Sequence, residues 1–396
     1  MNPTLKSFFK FLGILVIVAF LGWYIGFLTQ VSDIQTLNKT NNQVSAPVRM
    51  FPELQDPKTI DFKWEYQKRP FDLKLTLYKS VYDFYNTSSK DYTYYETLPP
   101  NWEEDYYGIF IKVNPQDKTI PDLANQLKDL GQRSGMAPDK IVELTTSFVQ
   151  SIPYDDQRAV KIKQNLPEEK PNYPYELLYQ QKGVCSDKTF LLYALLRQMG
   201  YGTALFEYKQ EKHIAVGIKC PAENSTYNSG YCYTETTQPG HKIGVVPDIS
   251  PDTNVGVVKK ELGTFDSSQQ QQENTLKLGQ VAIYQKTEGS SYNGIVQTVK
   301  TQTQIDTLEK EIADLKQALT PQKDELDSEK KIIDDMSARM SDLKKSKDVA
   351  GYNSLVPQYN NLVTAYKQKV ATYNQKVAQY NQKVAQYNQL IKQFYQ

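Results

Sequence analysis

Gly183-Val184-Cys185-Ser186-Asp187-Lys188, running on through Phe190, Leu191, Ala194, Leu195 and Met199 to Gly200, is the stretch on which the reading of this chain turns. Its apolar residues recur at helical spacing, and Gly200 and Gly202 supply a C-terminal stop, so a helix is predicted to begin around Cys185. After it the period drops to two, and Thr203 to Tyr208, Ile214 to Lys219 and Tyr231 to Thr236 read as strands. His213, one of only two histidines, arrives on the second of these segments and Glu235 on the third. A thiol at a helix start, with an imidazole and a carboxylate on neighbouring strands, is the order of parts for nucleophilic acyl chemistry.

The chemistry explains why these residue types belong together. An ordinary thiol has a pKa near 8.5, and a helix N-terminus or an adjacent imidazolium favours the thiolate. The thiolate attacks a carbonyl and the histidine hands a proton to the leaving amine. A carboxylate on the far ring nitrogen sets tautomer and orientation, and the Cys185 backbone N–H at the helix start is placed to donate to an oxyanion. Each residue also has a plainer role open to it: a small buried hydrophobe for Cys185, surface positions for His213 and Glu235. His213, Ala215 and Gly217 share one strand face, which leaves room for a partner group. His241, in Pro239-Gly240-His241, reads as a turn residue. Two distant histidines and no CxxC offer no metal-ligand cluster, so no metal or cofactor is expected.

Upstream, Ile60, Phe62, Trp64 and Tyr66 alternate with polar residues, and so do Phe71, Leu73, Leu75 and Leu77, predicting a hairpin turned at Gln67 to Pro70. A further strand is predicted at Tyr107 to Val113. Leu123, Leu127 and Leu130 then mark a helix, and Pro138-Asp139 opens another carrying Ile141, Leu144, Phe148 and Val149. Helices followed by an antiparallel sheet make an α+β domain. Residues 251–300 read as a linker or β extension, with low complexity at Ser267 to Gln272 and a strand at Gln280 to Tyr284.

At the N-terminus Phe11 to Leu28 is an uncharged, mostly apolar run of 18 residues behind Lys6 and Lys10. It is long enough to span a membrane, so residues 1–30 are expected to be an uncleaved anchor with a cytoplasmic N-terminus and an extracytoplasmic body. Residues 31–57 read as a tether. The triplets Asn38-Lys39-Thr40, Asn86-Thr87-Ser88 and Asn224-Ser225-Thr226 match glycosylation acceptors. Net charge is +1, from 46 basic and 45 acidic residues, which gives no footprint for nucleic acid. In an oxidising compartment three cysteines imply one disulfide and one free thiol. Cys220 and Cys232 flank the polar loop Pro221 to Gly230 and are the natural pair, leaving Cys185 free.

Residues 301–396 carry two heptad arms. Ile305, Leu308, Ile312, Leu315, Leu319, Leu326, Ile333, Met336, Met340 and Leu343 hold the first. Val356/Tyr359, Val363/Tyr366, Val370/Tyr373, Val377/Tyr380, Val384/Tyr387 and Ile391/Phe394 hold the second. A polar turn near Ser346 to Ser354 joins them into an antiparallel coiled-coil hairpin with arms of about 40 residues, roughly 60 Å. The first arm carries 11 acids and 8 bases over residues 301–345, the second five lysines and no acid over 356–396, so the arms attract one another. Thr320-Pro321 predicts a kink or short break, with a three-helix variant open.

Pro174-Tyr175-Glu176-Leu177-Leu178, the Gly183 to Lys188 run, the apolar helix through Gly200-Tyr201-Gly202, His213-Ile214-Ala215-Val216 and Tyr231 to Thr237 together resemble a transglutaminase-like (papain-like) domain of the prokaryotic, membrane-anchored type. The resemblance covers about residues 140–250, within a domain bounded at 58–250. It implies Cys185 as nucleophile, His213 as base and Glu235 as orienting acid, where Asp is common in the superfamily. A regular hairpin with Cys220 opposite Cys232 would put Glu235 opposite Gly217, about 13 Å along the strand from His213. An irregular loop, a bulge, or another acid such as Asp248 would relieve that, and the length of the polar loop favours the first. The function expected is extracytoplasmic thiol-dependent acyl transfer or hydrolysis on protein or peptide amides. The alternative is an inactive surface scaffold or adhesion protein whose hairpin binds a protein partner.

Overall fold

The computed structural model describes residues 49–164, 169–250, 255–265 and 276–395. The anchor expected at 1–30 and most of the tether lie outside the described residues. Among the described residues no helix is long and apolar enough to cross a membrane.

The chain divides into two units. In the described part of the smaller one, Tyr92 stacks with Tyr94 and its hydroxyl donates to Asp105, 3.1 Å away. The larger is Phe51–Lys90 with Tyr107 onward.

Strands β1 (Pro57–Tyr66) and β2 (Arg69–Tyr78) form the expected antiparallel hairpin, Ile60 level with Leu75 and Trp64 with Phe71. Every apolar residue of the alternation is buried and its neighbours are exposed, as period-two patterning demands of a sheet with one covered face. Trp64 meets Phe148 edge to face at 5.3 Å, laying this ribbon on the helical layer. Helix α1 (Lys79–Asn86) follows directly.

The strand expected at Tyr107 to Val113 is instead the second half of helix α2 (Trp102–Ile111). Three acids in its first turn, Glu103, Glu104 and Asp105, stabilise a helix N-terminus. Tyr107 and Phe110, three apart, are the side chains it buries, Phe110 stacking on Phe190 at 5.2 Å. The local β-formers were outweighed by this i,i+3 burial.

Helices α3 (Thr119–Arg133), α4 (Pro138–Ser151), α5 (Asp156–Lys163), α6 (Pro174–Gln180) and α7 (Cys185–Gln198) make up the helical layer. Against α7 lies a four-stranded antiparallel sheet ordered β5-β4-β3-β8, from β3 (Thr203–Tyr208), β4 (His213–Lys219), β5 (Tyr231–Thr234) and β8 (Ala282–Tyr284). The α+β reading holds, and the segment 251–300 contributes the sheet's edge strand. Its minor strand β7 (Leu276–Lys277) pairs with β6 (Asp248–Ile249), which precedes the segment.

The last two helices are α8 (Ile295–Lys345, 51 residues) and α9 (Val349–Tyr395, 47 residues). They pair along their length. The arms are longer than the heptads suggested, and only Ser346 to Asp348 separate them. Pro321 lies inside α8, so the helix is one element and the three-helix variant is excluded. The charge prediction is met by Lys369 bridging to Glu325 and Glu329, and by Lys383 to Glu311 at 2.7 Å. Burial is concentrated at the foot of the hairpin, where Ile305, Ile312, Leu319, Tyr380, Val384, Tyr387, Ile391 and Phe394 cluster with Val245 of the α+β domain. The segment 255–265 runs along this foot, Asn388 holding Leu262 at both its N–H and C=O, each at 2.7 Å.

Candidate active site

Cys185 opens α7, behind Val184 in extended conformation. Asp187, two residues on, accepts from the Val184 N–H at 3.0 Å, from the Asn172 N–H at 2.7 Å and from the Arg158 guanidinium. That buried carboxylate clamps the helix start and spends its charge on Arg158 and on the helix N-terminus. Gly183 is required here, since a Cβ would come within 2.6 Å of Leu177 Cδ1 and 2.9 Å of Asp187 Oδ2. The thiol therefore sits on a turn braced from three sides.

His213 is the first residue of β4, and its ring is fixed by β5. Its Nε2 lies 3.0 Å from Glu235 Oε2 and 3.1 Å from the Tyr233 hydroxyl. Tyr233 also donates to Glu235 Oε2 at 2.6 Å, while Oε1 accepts from the Thr236 and Thr237 N–H groups and the Thr237 hydroxyl at 2.6–2.9 Å. With Nε2 so occupied, Nδ1 is left without a hydrogen-bond partner beside the Cys185 thiol, whose own contact is with the Lys212 carbonyl at 4.0 Å. Cys185 is 8 % exposed and His213 1 %.

His213 and Glu235 therefore meet, with Cys185 beside the ring, and the register explains how. The β4–β5 ladder pairs Gly217 with Tyr233 and Ile218 with Cys232. Continued by one step, it sets Glu235 level with Ala215, two residues closer to His213 than direct Cys220–Cys232 opposition would allow. That is about 7 Å along the strand, which two long side chains span. Glu235 lies just past the end of β5 rather than on it. Cys220 and Cys232 are bridged, with Cα atoms 5.8 Å apart, across a loop of two short 3₁₀ turns, Ala222–Asn224 and Thr226–Asn228. Cys185 is the free cysteine. Asp248, the alternative acid, is exposed in β6 and paired with Lys277.

The electrostatics follow from burial and pairing. Burial alone would lower the His213 pKa, but the Glu235 carboxylate and the Cys185 thiol overcome it and raise it to about 10. Burial pushes the Glu235 carboxyl up, and His213, with His241 and Thr237, holds it below the usual carboxylate range instead. Burial raises the Tyr233 and Tyr154 phenols, with Glu235 adding to both and Cys185 nearby, so both keep their protons. At neutral pH the ring is thus an imidazolium locked to a carboxylate at Nε2.

Residues not singled out from sequence complete the site. Tyr233 is two positions before Glu235 and on its face, so strand parity carried the signal. Thr189 of α7 donates to Ile214 C=O at 3.0 Å and meets Thr236 at 3.2 Å, tying the thiol's helix to both strands. His241 lies beside Glu235 rather than in an open turn, with Nε2 donating to Val257 C=O at 3.0 Å; burial lowers its pKa. Lys188, one turn after Cys185, is buried and donates to the Gln150 and Ile152 carbonyls at 3.0 and 2.7 Å; burial lowers its pKa to about 7. Among the described residues no group of His, Cys, Asp and Glu has the arrangement of a metal site.

Residues 119–226 match the family model of a transglutaminase-like domain. That span runs from α3 into the loop after Cys220, takes in Cys185 and His213, and stops before Glu235. No curated protein and no solved structure matches the chain.

Proposed function

We propose, from the transglutaminase-like domain that residues 119–226 form, that this chain is a membrane-anchored extracytoplasmic thiol enzyme acting on amide bonds of proteins or peptides. One observation carries the reading: the chain's single free thiol starts a helix beside a buried histidine whose far nitrogen is held 3.0 Å from a carboxylate. The Cys185 thiolate, its proton held on the His213 ring, attacks the carbonyl carbon, forming a C–S bond as the C=O π pair moves onto oxygen. That oxygen is received by the Cys185 N–H at the start of α7. The intermediate collapses with C–N cleavage, and the amine leaves with the proton from His213 Nδ1. Water, or a second amine, then adds to the thioester as His213 takes its proton back, and the thiolate departs. Water is the default acceptor, so hydrolysis is the preferred form. Glu235 and Tyr233 keep the ring aligned through both steps.

The extracytoplasmic placement rests on the apolar run Phe11 to Leu28 and on the Cys220–Cys232 bridge, since disulfides persist in oxidising compartments. The burial of Cys185 favours a second reading, a surface scaffold that keeps the fold without the activity. Alkylation with iodoacetamide at pH 6.5, followed by intact mass, separates the two. An enzyme labels at Cys185 quickly and the His213→Ala variant at least tenfold more slowly. Equal rates for the two would leave the scaffold.

A further inference from the structure

The foot of the hairpin is built against the loop that carries the acid. Two bonds from one buried side chain start the connection: the Gln150 amide donates to the Glu235 carbonyl at 2.8 Å and to the His241 carbonyl at 3.0 Å. Gln150 is held in turn by Lys188, whose ammonium donates to its backbone carbonyl. The nucleophile's helix and the acid's loop are therefore cross-braced through the end of α4. On the other side, a Cβ at Gly256 would stand 3.1 Å from Glu235 Cγ and 3.3 Å from His241 Cδ2, so glycine lets acid and histidine pack across one thin strip of backbone.

The hairpin closes this assembly. The Tyr395 ring meets His241 edge to face at 6.2 Å, and its carbonyl oxygen lies 3.2 Å from where a Gly240 Cβ would be. Ile295, at the start of α8, comes within 2.0 Å of a Cβ built at Gly244, and Val245 belongs to the hairpin's own apolar cluster. Each residue from Gly240 to Val245 that points at the hairpin is thus seated on it, only a few positions after Glu235.

We infer that the final turns of α9 are a positioning element for Glu235, with Tyr395 acting through His241 and Gln150. This rests on the thiol-enzyme reading, because Glu235 matters to Cys185 only by orienting His213. Remote positioning residues shift such couplings by about two- to thirtyfold. Tyr395 borders a cavity of about 770 Å³ that Gln150 and His241 also line, so truncating it enlarges existing space rather than opening a sealed void.

The test uses the full chain and the iodoacetamide rate at Cys185, which needs no substrate. Tyr395→Ala and His241→Ala are expected to slow labelling by at least threefold, Tyr395→Phe to restore the wild-type rate, and Tyr366→Ala, far along the seam, to leave it unchanged. Melting curves accompany each variant, with Tyr395→Leu replacing the alanine variant if that one does not melt cooperatively. Wild-type labelling by Tyr395→Ala and His241→Ala overturns the inference and leaves the triad standing. If wild type and His213→Ala label alike, the reading beneath it has failed, and the inference falls with it.

Discussion

At the scale of the residue, the site is a buried charge pair whose behaviour with pH has a definite sign. The folded His213 pKa, about 10, lies above its unfolded value near 6.5. Its stabilising contribution is therefore whole below pH 6.5 and is lost as pH rises through 10. Lys188 titrates in the opposite sense over an overlapping window, because burial depresses its pKa to about 7. A difference measurement isolates the histidine. The gap in melting temperature between wild type and His213→Gln is expected to be constant from pH 5 to 6.5 and to shrink steadily towards pH 10; a gap that widened would contradict the pairing. Glu235→Gln keeps the shape but removes the charge, and leaves the Thr236, Thr237 and Tyr233 donors facing a neutral amide. It should slow Cys185 alkylation about 10- to 100-fold while costing about 1–3 kcal/mol in urea denaturation. Cys185, His213 and Glu235 were legible in the chain because helix and strand periods locate them. Gln150 and His241 were not, because their roles arise from bonds spanning 85 and 91 positions, which no local period encodes.

At the scale of the element, register decides how far Glu235 stands from His213. A regular hairpin with Cys220 opposite Cys232 would have set Glu235 two residues too far from His213. The bridge instead crosses diagonally over an irregular loop, and the ladder slides to bring the carboxylate within reach. The length of the polar stretch Pro221 to Gly230 pointed to that irregular loop, and two 3₁₀ turns fill it. The bridge closes a loop with a sequence separation of 12, so replacing both cysteines by alanine should cost about 2–4 kcal/mol, read from the urea midpoint. Helix α2 taught the reverse lesson: a run of β-formers became helical because burial of Tyr107 and Phe110 needs period three. In α8, Thr320-Pro321 read as a boundary, yet the helix passes through with Pro321 exposed. Proline there removes one backbone bond, so Pro321→Ala should stabilise the hairpin by about 1–3 kcal/mol. An unchanged urea midpoint would mean the helix has already adapted to it.

At the scale of the molecule, the hairpin and the α+β domain were each legible, but their junction was not. The heptads announced two arms and the Cys-to-Glu stretch announced the domain. Residues 251–300 read as a linker or β extension with a strand at Gln280 to Tyr284; β8 meets that expectation beside β3, whereas 255–265 is laid along the hairpin foot. Non-local docking of polar, irregular backbone leaves little trace in a hydropathy pattern. The foot also differs from the rest of the hairpin, since burial in α9 falls only between Tyr380 and Phe394. Excising residues 323–376 and closing the arms with a short polar turn should therefore preserve the foot, the melting of the domain and the Cys185 labelling rate. Loss of labelling in that variant would show that the distal seam, and not the foot alone, supports the acid's loop.

The contact between His241 and Tyr395 also has a meaning in time. Its two sides are separated by about 150 residues of chain, which a ribosome adding about 5–20 residues per second takes roughly 8 to 30 s to deliver. Through that interval the nascent domain holds its thiol and imidazole while the acid's loop waits for its support. If the foot positions Glu235 as inferred, a growing chain gains its full reactivity only once the second arm has been made and has folded back.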